Sequence, residues 1–339
     1  MCIPPLMISG VNDYNKYYTL AKQVVDEKHD LQNTPYFQND MDIVRSIGFA
    51  QIGRLEILMH MTSEAESTIK QAEESLLNLC VQAYSDVDSV EEFRAKLKRS
   101  ASESNLIAKT ELFQLFSGAL DPDEIIAPTL NVAEAYIDLR KKQKAKQMLQ
   151  LVFDFKNKES YWIAKYENEL NRELDRVAAR LIEFKQEPRP VSFEPISISN
   201  LSYIGMPIEG GAEAIPLYNL LVRAGTSITE RKNILEKVFE IDKNQTGPLE
   251  DRLAMECKIA LALAYLGDIE SSKIKTQKIQ EILSQEYHNH DETSLSNALI
   301  LQGKVREGIE ISDNDLQIRS NAIRYYVRKA AKLYQSTSH

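Results

Sequence analysis

The stretch Phe49–Ala72, FAQIGRLEILMHMTSEAESTIKQA, decides how this 339-residue chain is to be read, because it holds two helical periods with a short break between them. Gly53 is followed twelve positions later by Ala65, then by the large Ile69 and the small Ala72. A second stretch, Val132–Val152, VAEAYIDLRKKQKAKQMLQLV, repeats the arrangement, with Ala133, then Ala145, Leu149 and Val152. Small residues at these positions let the backbones of two antiparallel helices approach, while large apolar side chains fill the space beside the contact. Two weaker versions follow. One runs through Ile259, Ala260, Leu263 and a turn at Gly267 to Ser272, with Thr276 where a large apolar residue is expected. The other runs through Leu295, Leu299 and a turn at Gly303 to Gly308, with Ser312 in the next apolar place.

Gly267 and Gly303 lie 36 residues apart. This set of spacings resembles the tetratricopeptide repeat, a 34-residue helix-turn-helix unit. The resemblance implies an all-α fold in which antiparallel helix pairs stack as an α-solenoid and present a groove to a peptide or partner domain. The positions that the family uses on its first helices correspond here to Arg54 and Ile57 in the first unit, and to Glu134, Ile137 and Asp138 in the second. The Lys and Asn set with which some relatives clamp a terminal carboxylate is not reproduced, since Ala50 and Arg54 stand in two of its places. Departures from the pattern are the missing Trp in the first helices, Glu56 where Tyr is usual, and no Pro after any second helix.

Composition agrees with helix. The chain is 43% hydrophobic, 27% charged and 8% aromatic, as ordered globular proteins are. Twelve glycines and eleven prolines are few for a sandwich, a barrel or a glycine-rich nucleotide fold. Forty-one Lys and Arg against fifty Asp and Glu give a net charge of -9, which repels phosphate backbones and disfavours nucleic acid as a partner. Cys2, Cys80 and Cys257 form no CxxC pair, which fits a reducing compartment and leads to an expectation of a cytoplasmic protein. The N-terminal MCIPPLMISG lacks the basic start of a signal peptide, and no apolar run approaches the ~20 residues that span a bilayer, so membrane insertion is not expected.

Working outward, Pro188, Pro190, Pro195, Pro207 and Pro216 crowd together with Gly205, Gly210 and Gly211. Residues 186–214 therefore read as a Pro/Gly-rich linker or crossing segment between a helical half at 1–185 and another at 215–339. Any strand is confined to that segment. Within the first half, Ile43, Ile47, Ala50, Leu55 and Leu58 mark one helix, and Leu106, Leu112, Leu115 and Phe116 another. Asp121 and Pro122 open a helix, and Glu159 to Lys185 reads as a long capping helix. In the second half the spacing predicts helices over Ala214 to Arg223, Ile228 to Ile241, Leu249 to Leu266 and Ile269 to Ser284.

No Walker loop, dinucleotide fingerprint, HExxH, nucleophile elbow or kinase motif is present in the sequence. His288 and His290 supply metal-ligand types but no third ligand, so no metal and no cofactor is expected. Acidic pairs such as Glu73 and Glu74 read as helix-surface charge. The C-terminal helix carries one apolar face, Ile318, Ala322, Tyr326, Ala330 and Leu333, with Arg319, Arg324, Arg328 and Lys329 around it. It reads as the closing helix of the array. The sequence thus points to a non-enzymatic scaffold or adaptor for a protein or peptide partner. The alternatives are a helical enzyme with an unrecognised site, or a membrane-peripheral or secreted adaptor using that basic helix.

Overall fold

A computed structural model of the chain describes residues 11–27, 37–83, 87–102, 122–158, 177–181, 191, 217, 220–221, 228–285, 290–312 and 316–337. Among these residues every regular element is a helix and no strand occurs, so the protein is all-α. Most of the expected capping helix, the block Leu106 to Phe116, and 186–214 apart from Val191 lie outside the described residues. The same holds for most of Ala214 to Arg223.

The chain divides into two compact units, Met1–Phe193 with Tyr326–His339, and Glu194–Tyr325. The first contains α1 (Val11–Asp26), α2 (Phe37–Leu58), α3 (Thr62–Ala83), α4 (Val90–Ser102), α5 (Pro122–Asp138) and α6 (Lys142–Lys158). The second contains α7 (Ile228–Lys243), α8 (Leu249–Leu266), α9 (Ile269–Gln285), α10 (Glu292–Gln302) and α11 (Val305–Ile311). α12 (Leu316–Thr337) gives its first part to the second unit and its remainder, from Tyr326, to the first. Pro122 opens α5, where its missing N–H costs nothing because the first turn has no carbonyl to bond.

Among the described residues, four helix hairpins share one turn. α2 ends as His60 enters the left-handed region at φ 61, its N–H donating to Ile57 O (3.0 Å) and the Met61 N–H to Glu56 O (2.8 Å). Arg140 (φ 62), Gly267 (φ 95) and Gly303 (φ 92) repeat this between α5 and α6, α8 and α9, and α10 and α11. These paired bonds, one spanning three residues and one spanning five, satisfy carbonyls that a helix end leaves unpaired. In every hairpin a small residue lies seven positions before the left-handed residue and another lies five after it. The pairs are Gly53 and Ala65, Ala133 and Ala145, Ala260 and Ser272, and Ser296 and Gly308.

At three of these pairs the two helices make close contact. A Cβ on Gly53 would overlap Ile69 Cγ1 and come 3.5 Å from the Ala65 carbonyl oxygen, and one on Gly308 would come 2.7 Å from Ser296 O. Ser272 Oγ donates to Ala260 O at 2.7 Å across the same gap. Ala133 and Ala145 are fully buried.

Hairpins then stack within each unit. α2 packs on α3 and on α5, and α3 also meets α5. α4 lies against both α3 and α6, burying Phe93 and Leu97 on its inner face. In the second unit α8 packs on α9 and on α10, and its core joins Ile259, Leu263, Ile279, Leu295 and Leu299 with Ile234 and Val238 of α7. The apolar face of α12 is covered by protein, since Ile318, Ala322, Tyr326 and Ala330 are buried. Within the first unit, Tyr326 and Tyr334 of α12 meet Tyr17 and Tyr14 of α1 at ring-centroid distances of 6.1 and 5.4 Å. Among the described residues no helix is long and apolar enough to cross a membrane.

The hairpin geometry makes opposite predictions for removing a glycine and for introducing one. Gly308→Ala presses a methyl on a backbone oxygen and should destabilise by about 1–3 kcal/mol, overriding the ~1 kcal/mol helix preference of Ala over Gly. His60→Gly and Arg140→Gly relieve a left-handed L-residue and should each stabilise by roughly 1 kcal/mol. Urea denaturation of the three variants checks both signs, and a stabilised Gly308→Ala would remove the close contact.

Candidate functional site

The strongest concentration of buried chemistry in the described residues lies where α2 meets α5. Across the contact between α2 and α5, Gln51 and Arg54 reach Asn131, Glu134 and Asp138. Gln51 Nε2 donates to Asn131 Oδ1 at 2.5 Å. Arg54 reaches both acids, with Nη1 3.2 Å from Glu134 Oε2 and Nε 2.6 Å from Asp138 Oδ2. The first and second of these contacts each join residues 80 positions apart, the offset that also separates Gly53 from Ala133. Equivalent positions of the two hairpins therefore face each other in register.

A second arginine completes the cluster. In the helical turn 177–181, Arg180 Nη1 donates to Glu134 Oε1 at 2.7 Å and Nη2 donates to Asp138 Oδ1. Each carboxylate thus binds one arginine through each oxygen, in a closed ring of two anions and two cations. Glu134 and Asp138 stand one turn apart on α5, where like charges repel. They are buried, with side chains 6% and 3% exposed, so the two guanidiniums both cancel the repulsion and replace lost water. Val177 and Leu181, which flank Arg180 on its own turn, are buried as well.

The five residues that the repeat alignment assigns to partner contact lie on α2 and α5. Arg54, Glu134 and Asp138 belong to the charge ring, Ile137 is buried in α5, and Ile57 is half-buried near the end of α2. Arg180 lies within the stretch read as a capping helix, with no signal in the sequence to mark it as the fourth member. Its partners are more than forty residues away in the chain.

Two further buried carboxylates are served by phenols. Tyr18 of α1 donates to Glu56 Oε1 at 2.5 Å, while Glu56 Oε2 has no hydrogen-bond partner among the described residues. Tyr136 of α5 donates to Glu73 of α3, whose other oxygen takes Lys144 Nζ at 2.5 Å. Glu73, expected as helix-surface charge, is instead buried between α3, α5 and α6, because the α5 phenol and the α6 ammonium both converge on it. Burial first, and then the neighbouring carboxylate, push both phenols well above their ordinary pKa, which keeps them protonated as donors.

In the second unit, Lys258 Nζ is fully buried 3.5 Å from Asp291 Oδ2. Asp291 also caps α10, accepting from Ser294 N–H at 2.9 Å and Ser294 Oγ at 2.8 Å. Asn321 of α12 donates to Asn297 at 2.9 Å. His290 precedes this capping aspartate and His288 lies outside the described residues. Among the described residues no group of three or more His, Cys, Asp and Glu could hold a metal ion.

No family model, no curated protein and no solved structure matches this chain.

Two measurements follow from this geometry. Arg54→Met removes one of the two arginines that hold these buried carboxylates and should destabilise by about 3–5 kcal/mol. The joint replacement Arg54→Met, Glu134→Gln, Asp138→Leu, Arg180→Met should recover most of that loss in urea melts, and a joint variant worse than the single one would contradict the ring. Cys80 and Cys257 are buried and their thiols are pushed up by desolvation, so native alkylation followed by peptide mass spectrometry should leave both unmodified until the protein is denatured.

Proposed function

We propose that this protein is a non-enzymatic interaction scaffold of the tetratricopeptide-like kind, which holds a peptide or partner domain against stacked helix pairs. One observation carries the reading: four hairpins built on the same small-residue pair and the same left-handed turn, with α2 set on α5 and α8 on α10. Units of this sort cannot bury their apolar faces alone, so they stack, and stacking creates extended surfaces of the type that bind other chains. The charge ring fits the same reading. Its carboxylates have both oxygens engaged by arginines, which makes it a recognition device for guanidinium and gives neither acid a free oxygen for proton transfer.

The partner is a protein or peptide rather than nucleic acid, in keeping with the net charge of -9. The membrane-adaptor alternative draws less support, because the apolar face on which it depends is buried in α12. Proximity labelling with the full chain in native cells, followed by reconstitution of the enriched protein with purified chain, tests the proposal. Saturable binding with a defined stoichiometry is expected. A folded chain that enriches nothing above a scrambled-surface control would overturn it.

A further inference from the structure

The face of α5 that the repeat alignment assigns to partners is filled by the chain itself. Val177 and Leu181 are buried, and Arg180 spans the two carboxylates of Glu134 and Asp138. Arg180 differs from Arg54 in one respect that matters. The Arg54 side chain is 4% exposed and belongs to the α2–α5 packing itself, whereas that of Arg180 is 19% exposed and approaches from a separate turn. One arginine joins the two hairpins, and the other brings a third segment to the same acids.

Resting on the scaffold reading above, we propose that Glu134 and Asp138 form a receptor for a helix-borne arginine, which turn 177–181 occupies in cis and a partner helix displaces. The chemistry of the occupant is set by what sits there now: an arginine with an aliphatic residue three positions before it and another one position after it, as in Val177, Arg180 and Leu181. The guanidinium offers two parallel N–H groups to two carboxylates one helical turn apart. A lysine ammonium is a point donor and cannot span both in the same way. The two aliphatic side chains are buried, so the turn brings apolar surface along with its guanidinium. Because the cis turn is tethered, its effective concentration lies in the millimolar range, so a free helix of equal intrinsic affinity binds only weakly until the tethered copy is weakened. The contact is therefore an autoinhibitory one, and a partner succeeds by making more contacts than the turn does.

The test uses the full chain and a fluorescein-labelled synthetic peptide of residues 170–186, read by anisotropy. The wild-type chain should bind the peptide weakly, the Arg180→Gln chain at least tenfold more tightly, and the Arg180→Lys chain between the two. A peptide carrying glutamine in place of Arg180 should lose that gain with every chain. Equal binding by the wild-type and Arg180→Gln chains overturns the proposal. So does equal binding of the two peptides, or an Arg180→Gln chain that melts lower and binds neither, since Arg180 would then be structural only. The scaffold reading fails separately: peptide exchange as expected with no cellular partner leaves the cis contact and removes the scaffold. A cellular partner bound equally by the wild-type and Arg180→Gln chains leaves the scaffold and removes the cis contact.

Discussion

Close approach of two helix backbones at a pair of small residues is the constraint on which the rest of this structure depends. A left-handed residue stops the first helix, and five residues later the second helix places an Ala, Ser or Gly against the small residue of the first. With the backbones this near, side chains beside the contact cannot point into the gap. They are directed outward to either side, and that produces the faces on which the next hairpin packs. Gly53 and Gly308 are the tightest instances, since even a methyl group would meet Ile69 or the Ser296 carbonyl there.

Stacking one hairpin on the next is solved differently in the two units. In the first, equivalent positions of α2 and α5 meet through polar pairs, Gln51 with Asn131 and Arg54 with Glu134. In the second, the contact of α8 with α10 is mostly aliphatic, and the buried charge is displaced to the cap, where Lys258 meets Asp291. Burying an ion pair rarely adds net stability over an apolar contact of the same shape. Its value here is in register: a shift of α5 by one residue along α2 would set Arg54 opposite Ala133 or Ala135 and take it away from both acids.

Much of the fold was legible in the residues. Helical spacing marks Leu249 to Leu266 with the observed ends and Ile269 to Ser284 to within one residue, and glycine marks the turns at 267 and 303. The turns at His60 and Arg140 carry no such mark, because a histidine or an arginine in the left-handed region looks like any other polar residue in a sequence. The small-residue spacing of twelve nevertheless located both hairpins. Val90–Ser102 buries Phe93 and Leu97 but interleaves them with Glu91, Glu92, Arg94, Lys96 and Lys98, so its helix does not stand out from a solvated run. The candidate site was legible only in its positions. Repeat alignment singled out Arg54, Glu134 and Asp138 as partner contacts, whereas the structure pairs them with one another across about eighty residues, and Arg180 joins them from a stretch that reads as a plain amphipathic helix. Local pattern carries no information about such partners.

The insertion of α4 between the first two hairpins has a consequence for the order of assembly. To set α2 on α5, the chain must close a loop of 80 residues, whereas α8 and α10 are offset by 36. On a chain-entropy scale that difference adds about 0.7 kcal/mol to the first unit's closure, and it raises the mean sequence separation of its contacts, which slows folding. The ionic ring adds nothing until that loop is closed. The second unit, with short offsets and an aliphatic seam, therefore assembles ahead of the first, an order that pulse-labelled hydrogen exchange during refolding reads directly.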